Sequence, residues 1–411
     1  KECENMNQDY LIKKKPMYAL ALFALPMIIG NLFQQAYTIV DSAIVGHYVG
    51  ETALAAVGAS YALTSIFICV AIGGGIGASV IISQHFGGHA YSRMKTSIRT
   101  AMLSFLLISL LLGGFRGQNI INRKHQHPGL GLCFSRQIME ALNTPADAMD
   151  IAVIYLNIYF YGLPFLFMYN ILSSMFNALG ESRIPLYLLI FSSVLNIFLD
   201  LYMVATVHLG VAGAAYATFI AQGISAVCSF LIFLHTLRRL DGKAETWFSK
   251  AEFSSMSRIA LPSILQQSTV SIGMMLVQSV VNGFGTQILA GFSAGMRIES
   301  LCVVPMAAIG NALSSYTAQN IGAEKHERIS LGYRTANIMV AITAVILCLF
   351  LELLHRPLIA LFLDGAPSAQ TVATGEGYLR FIGFFFCMIG FKMAVDGILR
   401  GAGAVKVFTS A

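Results

Sequence analysis

Charge is what this sequence has least of. Only 11% of its 411 residues are Asp, Glu, Lys or Arg, against 56% hydrophobic residues. A soluble domain carries about 25% charged residues. With a mean hydropathy of +0.70, the chain holds more apolar surface than a globular core can absorb, and a bilayer can take it. Cysteine pairing is missing as well. Cys3, Cys69, Cys133, Cys228, Cys302, Cys348 and Cys387 are scattered with no CxxC and no Cys/His cluster. They read as inert thiols rather than as a disulfide framework or zinc site. No cleavable leader is expected, because the first apolar run is too long and lacks a small-residue cleavage site. The chemistry of an enzyme is also lacking. No paired Asp-rich loops of a membrane-embedded prenyltransferase occur. Gly73-Gly74-Gly75-x-Gly77 is followed by no Lys-Ser/Thr, so it reads as close helix packing and not as a phosphate loop. His47, His85 and His89 lie at loop edges without metal spacing and read as solvated histidines. No enzyme activity and no cofactor are expected.

What is present is long apolar runs. Each helical span needs roughly 20 apolar residues, and helices are expected near 17–45, 53–84, 97–114, 149–178, 186–207, 211–237, 258–282, 288–318, 334–360 and 376–399. The fold class is therefore an all-α, polytopic membrane protein. The net charge of +6 does not call for nucleic acid, because most basic residues fall in alternate loops. Lys13 to Lys15, Arg93 with Lys95 and Arg99, Arg183, Arg238 to Arg258, Lys325 to Arg334, and Arg400 with Lys406 mark one face. The loops at 46–52, 207–210, 283–287 and 361–376 hold no Lys or Arg. The positive-inside rule places both ends of the chain in the cytoplasm, as expected for a multi-pass protein of a bacterial plasma membrane.

The chain repeats itself. Ala24-Leu25-Pro26 recurs as Ala260-Leu261-Pro262. Gln84-His85-Phe86-Gly87 recurs as Gln319-Asn320-Ile321-Gly322 and Arg99-Thr100-Ala101 as Arg334-Thr335-Ala336, both offset by 235. Tyr155-Leu156 recurs as Tyr378-Leu379, now offset by 223. Both repeats start on the basic side, so they run parallel, related by an axis along the membrane normal as in many secondary transporters. This gives an N-lobe of six helices over 1–240, a cytoplasmic linker over 241–257, and a C-lobe over 258–411. The C-lobe holds four helices, two fewer than the N-lobe. The fall in offset leaves twelve extra residues in the first half, around Phe115–Pro128. That basic stretch on the outer side reads either as an insertion or corrupted reading frame, or as a real outer loop.

Within the spans, acids are few. Asp41 lies nine residues before Gly50, Asp200 ten before Gly210, and Thr218 eight after Gly210. At 1.5 Å per residue, all three sit roughly 12–15 Å below the outer surface. Asn196 is one turn from Asp200, and Tyr37 and Gln34 align with Asp41. Acids in spans are usually functional, and these oxygens would suit Na⁺ or H⁺. The alternative is that the acids pair or cap within packing, and that Thr218 bonds its own helix. The repeat puts Val277 or Gln278 where Asp41 sits, so the second lobe does not duplicate the acid site. Lys392 and Asp396 are four apart and would neutralise each other. Arg297 and Glu299 read as structural ties. Gln34-Gln35 and Gln266-Gln267 either line a cavity or bond between helices.

Pro26-x-x-x-x-Asn31-x-x-Gln34-Gln35-x-x-x-x-x-Asp41-x-x-x-x-Gly46-x-x-x-Gly50 resembles the first helix of the multidrug and toxic compound extrusion (MATE) family. Ala53-Leu54-Ala55-Ala56, Gln84-x-x-Gly87, Asn177-Ala178-Leu179-Gly180-Glu181, and Gln319-Asn320-Ile321-Gly322-Ala323 with Arg328 are similar too. The resemblance covers the chain except about 115–132. It implies twelve helices in two lobes and export of cationic, often aromatic compounds in exchange for Na⁺ or H⁺, and the last two helices are lacking here. It also implies that Asp41, Asn196, Asp200 and Thr218 form the cation or proton site used by one branch. Another branch uses acids of helices seven and ten. Asp396 could match the latter, but Gln266 and Gln267 stand uncharged in the former. Small cationic organic substrates and membrane lipid are the expected partners of a monomer. The competing readings are a lipid-linked precursor flippase, for which only Arg297 and Lys392 could hold pyrophosphate, and an inactive truncated fragment.

Overall fold

Backbone polar groups in a bilayer must be satisfied within the chain, and a helix does this locally. The computed structural model describes residues 9–113, 135–137, 139–140, 146–362 and 368–404, and its elements are helices. A short α1 (Tyr10–Lys13) precedes α2 (Pro16–Tyr48), α3 (Glu51–Gly87), α4 (Tyr91–Gly113), α5 (Ala146–Ala178) and α6 (Arg183–Asp200). Next come α7 (Gly210–Arg238), α8 (Lys250–Asn282), α9 (Thr286–Gly322), α10 (His326–Ala360) and α11 (Ala369–Ala402). Among the described residues, ten helices are long and apolar enough to cross a membrane. The odd stretch around Phe115–Pro128 lies outside the described residues.

The helices overrun the apolar runs at their polar ends. Helix α10 begins at His326, eight residues before the apolar run starting at 334, and α8 begins at Lys250, inside the stretch read as linker. Local chemistry accounts for α8: Ser249 caps it, its Oγ accepting from the Glu252 backbone N–H at 3.3 Å, a bond that satisfies one orphan donor of the first turn.

The repeat is visible in three dimensions. Helices α3 and α9 are each 37 residues long and start and stop at an offset of 235. Each is preceded by a glycine with positive φ, Gly50 at 103° and Gly285 at 95°. Helices α2 and α8 are both 33 residues and carry interior prolines, Pro26 and Pro262. One apolar core packs α3, α4 and α5 around Phe160, Phe167 and Phe176. A second packs α9, α10 and α11 around Met306 and Phe386. A third joins the halves, with Leu20 and Phe23 of α2 against Ile309, Leu313 and Tyr316 of α9. The partner contact is α8 against α3, where Ile264 closes on Gly73 and Ala260 on Gly77.

Contacts between the halves gather on the basic-loop side. Gln84 Nε2 donates to the Gly401 carbonyl at 3.3 Å, and Gln319 Nε2 to the Ala178 carbonyl at 2.8 Å. Further along α3 and α8, Cys69 meets Ser271 at 3.7 Å. Beyond it, Ile272, Met274 to Val277 and Val280 of α8 are exposed. Five described cysteines are free thiols, of which Cys69 and Cys302 are buried.

Candidate functional site

Three helices of the first half bring the predicted acids together. Asp41 lies in the outer third of α2, and Asp200 is the last residue of α6 before a π-helical turn, Leu201–Thr206. Such widened turns are uncommon and cluster at functional sites. Asp200 is fully buried and Asn196 nearly so. The two carboxyl groups face each other within hydrogen-bonding reach. Oδ1 of Asp41 and Oδ1 of Asp200 are buried with no hydrogen-bond donor among the described residues. A buried polar atom without a partner is uncommon and calls for an explanation.

Asn196 holds Asp200 in place. With its amide oriented to satisfy both ends, Nδ2 donates to Asp200 Oδ2 at 2.8 Å. Its Oδ1 then accepts from Thr218 Oγ1 at 3.3 Å and from the Thr218 backbone N–H at 3.2 Å. Tyr37 of α2 lies beside the Thr218 hydroxyl and close to both acids. The set therefore contains two carboxyls, an amide, a hydroxyl and a phenol, from α2, α6 and α7. Thr218, expected either to join the site or to bond its own helix, meets Asn196. Val204, Val211 and Ala214 pack with Ile44 and Val45 between this set and the outer end.

Tyr155 of α5 was not singled out from the sequence, except as a marker of the repeat. Its ring stacks on Tyr159 with centroids 6.4 Å apart, and it lies near both Asp41 and Asp200. The repeat offered one signal: its counterpart Tyr378 bonds the carboxylate of Glu299 in the second half. Both tyrosines therefore face an acid of their own half.

The remaining candidates separate into a second group. Gln266 Nε2 of α8 donates to Asp396 Oδ2 at 2.9 Å, and Lys392 Nζ lies 2.5 Å from the same oxygen. Asp396 is thus paired by its own helix and by α8. Gln34 is exposed and Gln267 half-buried. Their backbone carbonyls accept from Thr38 and Ser271 of their own helices, and no side-chain bond to either acid group is seen. Glu299 is tied to Tyr378, whereas Arg297 is exposed. One histidine differs from expectation: His85 is only 16% exposed at its side chain and pairs with Glu252, because α8 starts early enough to bring that acid against α3.

Paired parallel helical repeats, with two facing acids inside the spans of one of them, are the architecture of many secondary transporters. The comparisons give the family. The MatE family profile matches residues 26–115, 129–202 and 262–411, and the chain belongs to this family of multidrug efflux transporters. The probable multidrug resistance protein YpnP of Bacillus subtilis (strain 168) is 31% identical over 388 residues, covering 94% of this chain and 82% of that protein. The probable multidrug resistance protein NorM of Thermotoga maritima is 24% identical over 392 residues, covering 93% and 80%. An outward-facing multidrug resistance MATE family transporter of the MOP superfamily superposes with a TM-score of 0.87 at 22% identity, covering 97% of this chain and 86% of that one. At that identity the likeness speaks for the fold.

Proposed function

We propose that the chain is an antiporter that exports small organic cations, often aromatic, in exchange for Na⁺ or H⁺, with Asp41, Asp200, Asn196 and Thr218 as the coupling site and Tyr37 beside them. The observation that carries this is the pair of facing carboxyls with two buried, undonated Oδ1 atoms. Two bare carboxylates side by side in a bilayer repel and are poorly solvated. A proton shared between them, or Na⁺ held by their oxygens with Asn196 and Thr218, removes both penalties. The cation would then favour the state in which α2, α6 and α7 close on it. An organic cation would favour the other state, and the two ligands would exchange by population shift.

The basic-loop face is read as cytoplasmic in a bacterial plasma membrane, so the present arrangement is closed inward. Gln266 and Asp396 then lie in the other lobe as a neutralised pair: Lys392 already supplies the cation that a coupling acid would need. The same ion pair counts against a lipid-linked precursor flippase, since Lys392 is not free to hold pyrophosphate. The test is efflux of a fluorescent organic cation from vesicles under an imposed Na⁺ or H⁺ gradient. Asp41→Asn with Asp200→Asn should abolish gradient-driven efflux at unchanged membrane expression. Efflux that survives the double substitution would falsify the assigned site.

A further inference from the structure

The chain contains a single tryptophan, and it lies in the segment joining the two halves. That segment runs along α4. The Glu245 backbone N–H donates to Thr96 Oγ1 and the Ser249 backbone N–H to Thr100 Oγ1, both at 3.0 Å. Lys95 Nζ grips the carbonyls of Leu240 and Gly242 at 2.7 and 2.8 Å. The segment therefore descends one turn along α4, from the level of Lys95 to that of Thr100. There the charged start of α4 gives way to its apolar body, with Leu106, Leu107 and Leu111 exposed.

At that level three aromatic side chains lie open. Trp247 is 74% exposed, Phe248 and Phe253 are also exposed, and the two phenylalanine rings sit 5.8 Å apart. Arg99 stacks on the indole with Cζ 4.7 Å from the ring centroid. Lys250 and Arg258 are exposed nearby on α8. The acids of the segment, Asp241 and Glu245, lie on its upper part beside Lys95 and Thr96. Among the described residues, the indole N–H, Arg99 and Lys250 have no hydrogen-bond partner. In a soluble protein three open aromatics would be a liability. In a membrane protein, aromatics at the depth where basic residues end and apolar helix begins form an interfacial belt.

We infer that Trp247, Phe248 and Phe253, with Arg99, Lys250 and Arg258, form a lipid-binding surface that takes anionic phospholipid headgroups of the leaflet on the basic-loop face. The rings would enter the headgroup–acyl boundary, and the cations would meet the phosphates, with the long Arg and Lys stems lying along apolar surface. The occupant is an anionic lipid rather than a protein because Arg99 stacks on the open indole at the level where α4 turns apolar. The inference goes beyond transport and leans on the Proposed function only for which leaflet is the inner one.

The lone tryptophan makes the test direct. The full chain is reconstituted in vesicles of phosphatidylcholine with about one third phosphatidylglycerol. Bromine is placed on the acyl chains of one lipid or of the other at equal mole fraction, and Trp247 emission is read. Each basic residue near the surface strengthens anionic binding about fivefold. Brominated phosphatidylglycerol should therefore quench roughly twofold or more above brominated phosphatidylcholine. Arg99→Gln with Lys250→Gln should erase that excess and keep the acyl-chain quenching. Equal quenching by the two lipids in the unaltered chain overturns the anionic preference. Emission untouched by either lipid and open to aqueous iodide overturns the surface altogether. Neither reading depends on whether the chain transports anything.

Discussion

Asn196 links Asp200 to Thr218 through both ends of its amide, so its removal should act on the site more than on the fold. Asn196→Ala frees Asp200 Oδ2 and removes the acceptor of the Thr218 hydroxyl. Partners that orient ligating groups are typically worth 10–100-fold in ion affinity. The half-saturating Na⁺ or H⁺ concentration for efflux should rise by about that factor, while each lost hydrogen bond costs stability only about 1 kcal/mol. An unchanged half-saturation point would reduce Asn196 to a packing residue. The pairing of Asn196 with Asp200 was legible in the sequence because four residues make one helical turn, and the shared depth of Asp41, Asp200 and Thr218 followed from counting back to loop glycines. Tyr155 was not legible as a site residue. It stands 114 positions from Asp41 in the sequence, and only the packing of α5 against α7 brings it to the acids. The split of the glutamines was also hidden: adjacent residues on a helix point about 100° apart, so Gln266 reaches Asp396 and Gln267 does not.

The long helices α3 and α9 meet end to end on the basic side, and here the backbone itself is the contact. A Cβ at Gly322 would collide with the Gln84 carbonyl, and one at Gly87 with the Gln319 carbonyl. The glutamines then reach past each other to the ends of α5 and α11 in the opposite halves. The glycines are there for close approach. Gly322→Ala should force the two helix ends apart at a cost of about 1–3 kcal/mol. The expected result is a lower Tm in detergent and weaker efflux. A Tm equal to that of the parent chain would mean that the junction gives way without strain. The recurrence of Gln-x-x-Gly at an offset of 235 made the repeat visible, since helices must reuse small residues where they cross. The helix ends were less visible. Hydropathy follows the bilayer, whereas α10 and α8 run eight residues beyond it into polar turns. That overrun brings Glu252 onto His85 and turns an expected solvated histidine into a partly buried, paired one.

Across the molecule the same exchange is made twice, once from each half. The segment before α2 belongs to the first half and is held by the second. Arg328 donates to the carbonyls of Leu11 and Lys14 at 3.2 and 2.6 Å, and Asn320 to that of Leu11 at 3.2 Å. The first turn of α8 leads into the second half and is held by the first. Glu252 accepts from Ser97 at 2.9 Å and Arg93 at 3.1 Å, and it meets His85 at 3.0 Å. His85 and Asn320, and likewise Arg93 and Arg328, are repeat partners at an offset of 235, so a two-fold relation puts one clasp at each lobe's entry. The chemistry differs, however. One clasp is a guanidinium on backbone carbonyls, and the other centres on a buried carboxylate with two basic partners. On the proposed antiport reading, opening the molecule on this side would release both. Glu252→Gln or Arg328→Gln alone should therefore speed amide hydrogen exchange mainly in its own lead-in segment, residues 245–252 or 10–15. The double substitution should speed both, and also the helix ends at Gln84–Gly87 and Gln319–Gly322, because helix packing and the Gln84 and Gln319 hydrogen bonds then hold this side without the clasps. If the double variant protects those helix ends as well as the parent chain does, helix packing and the glutamine bonds suffice to close this face, and the clasps serve only to place the two entering helices.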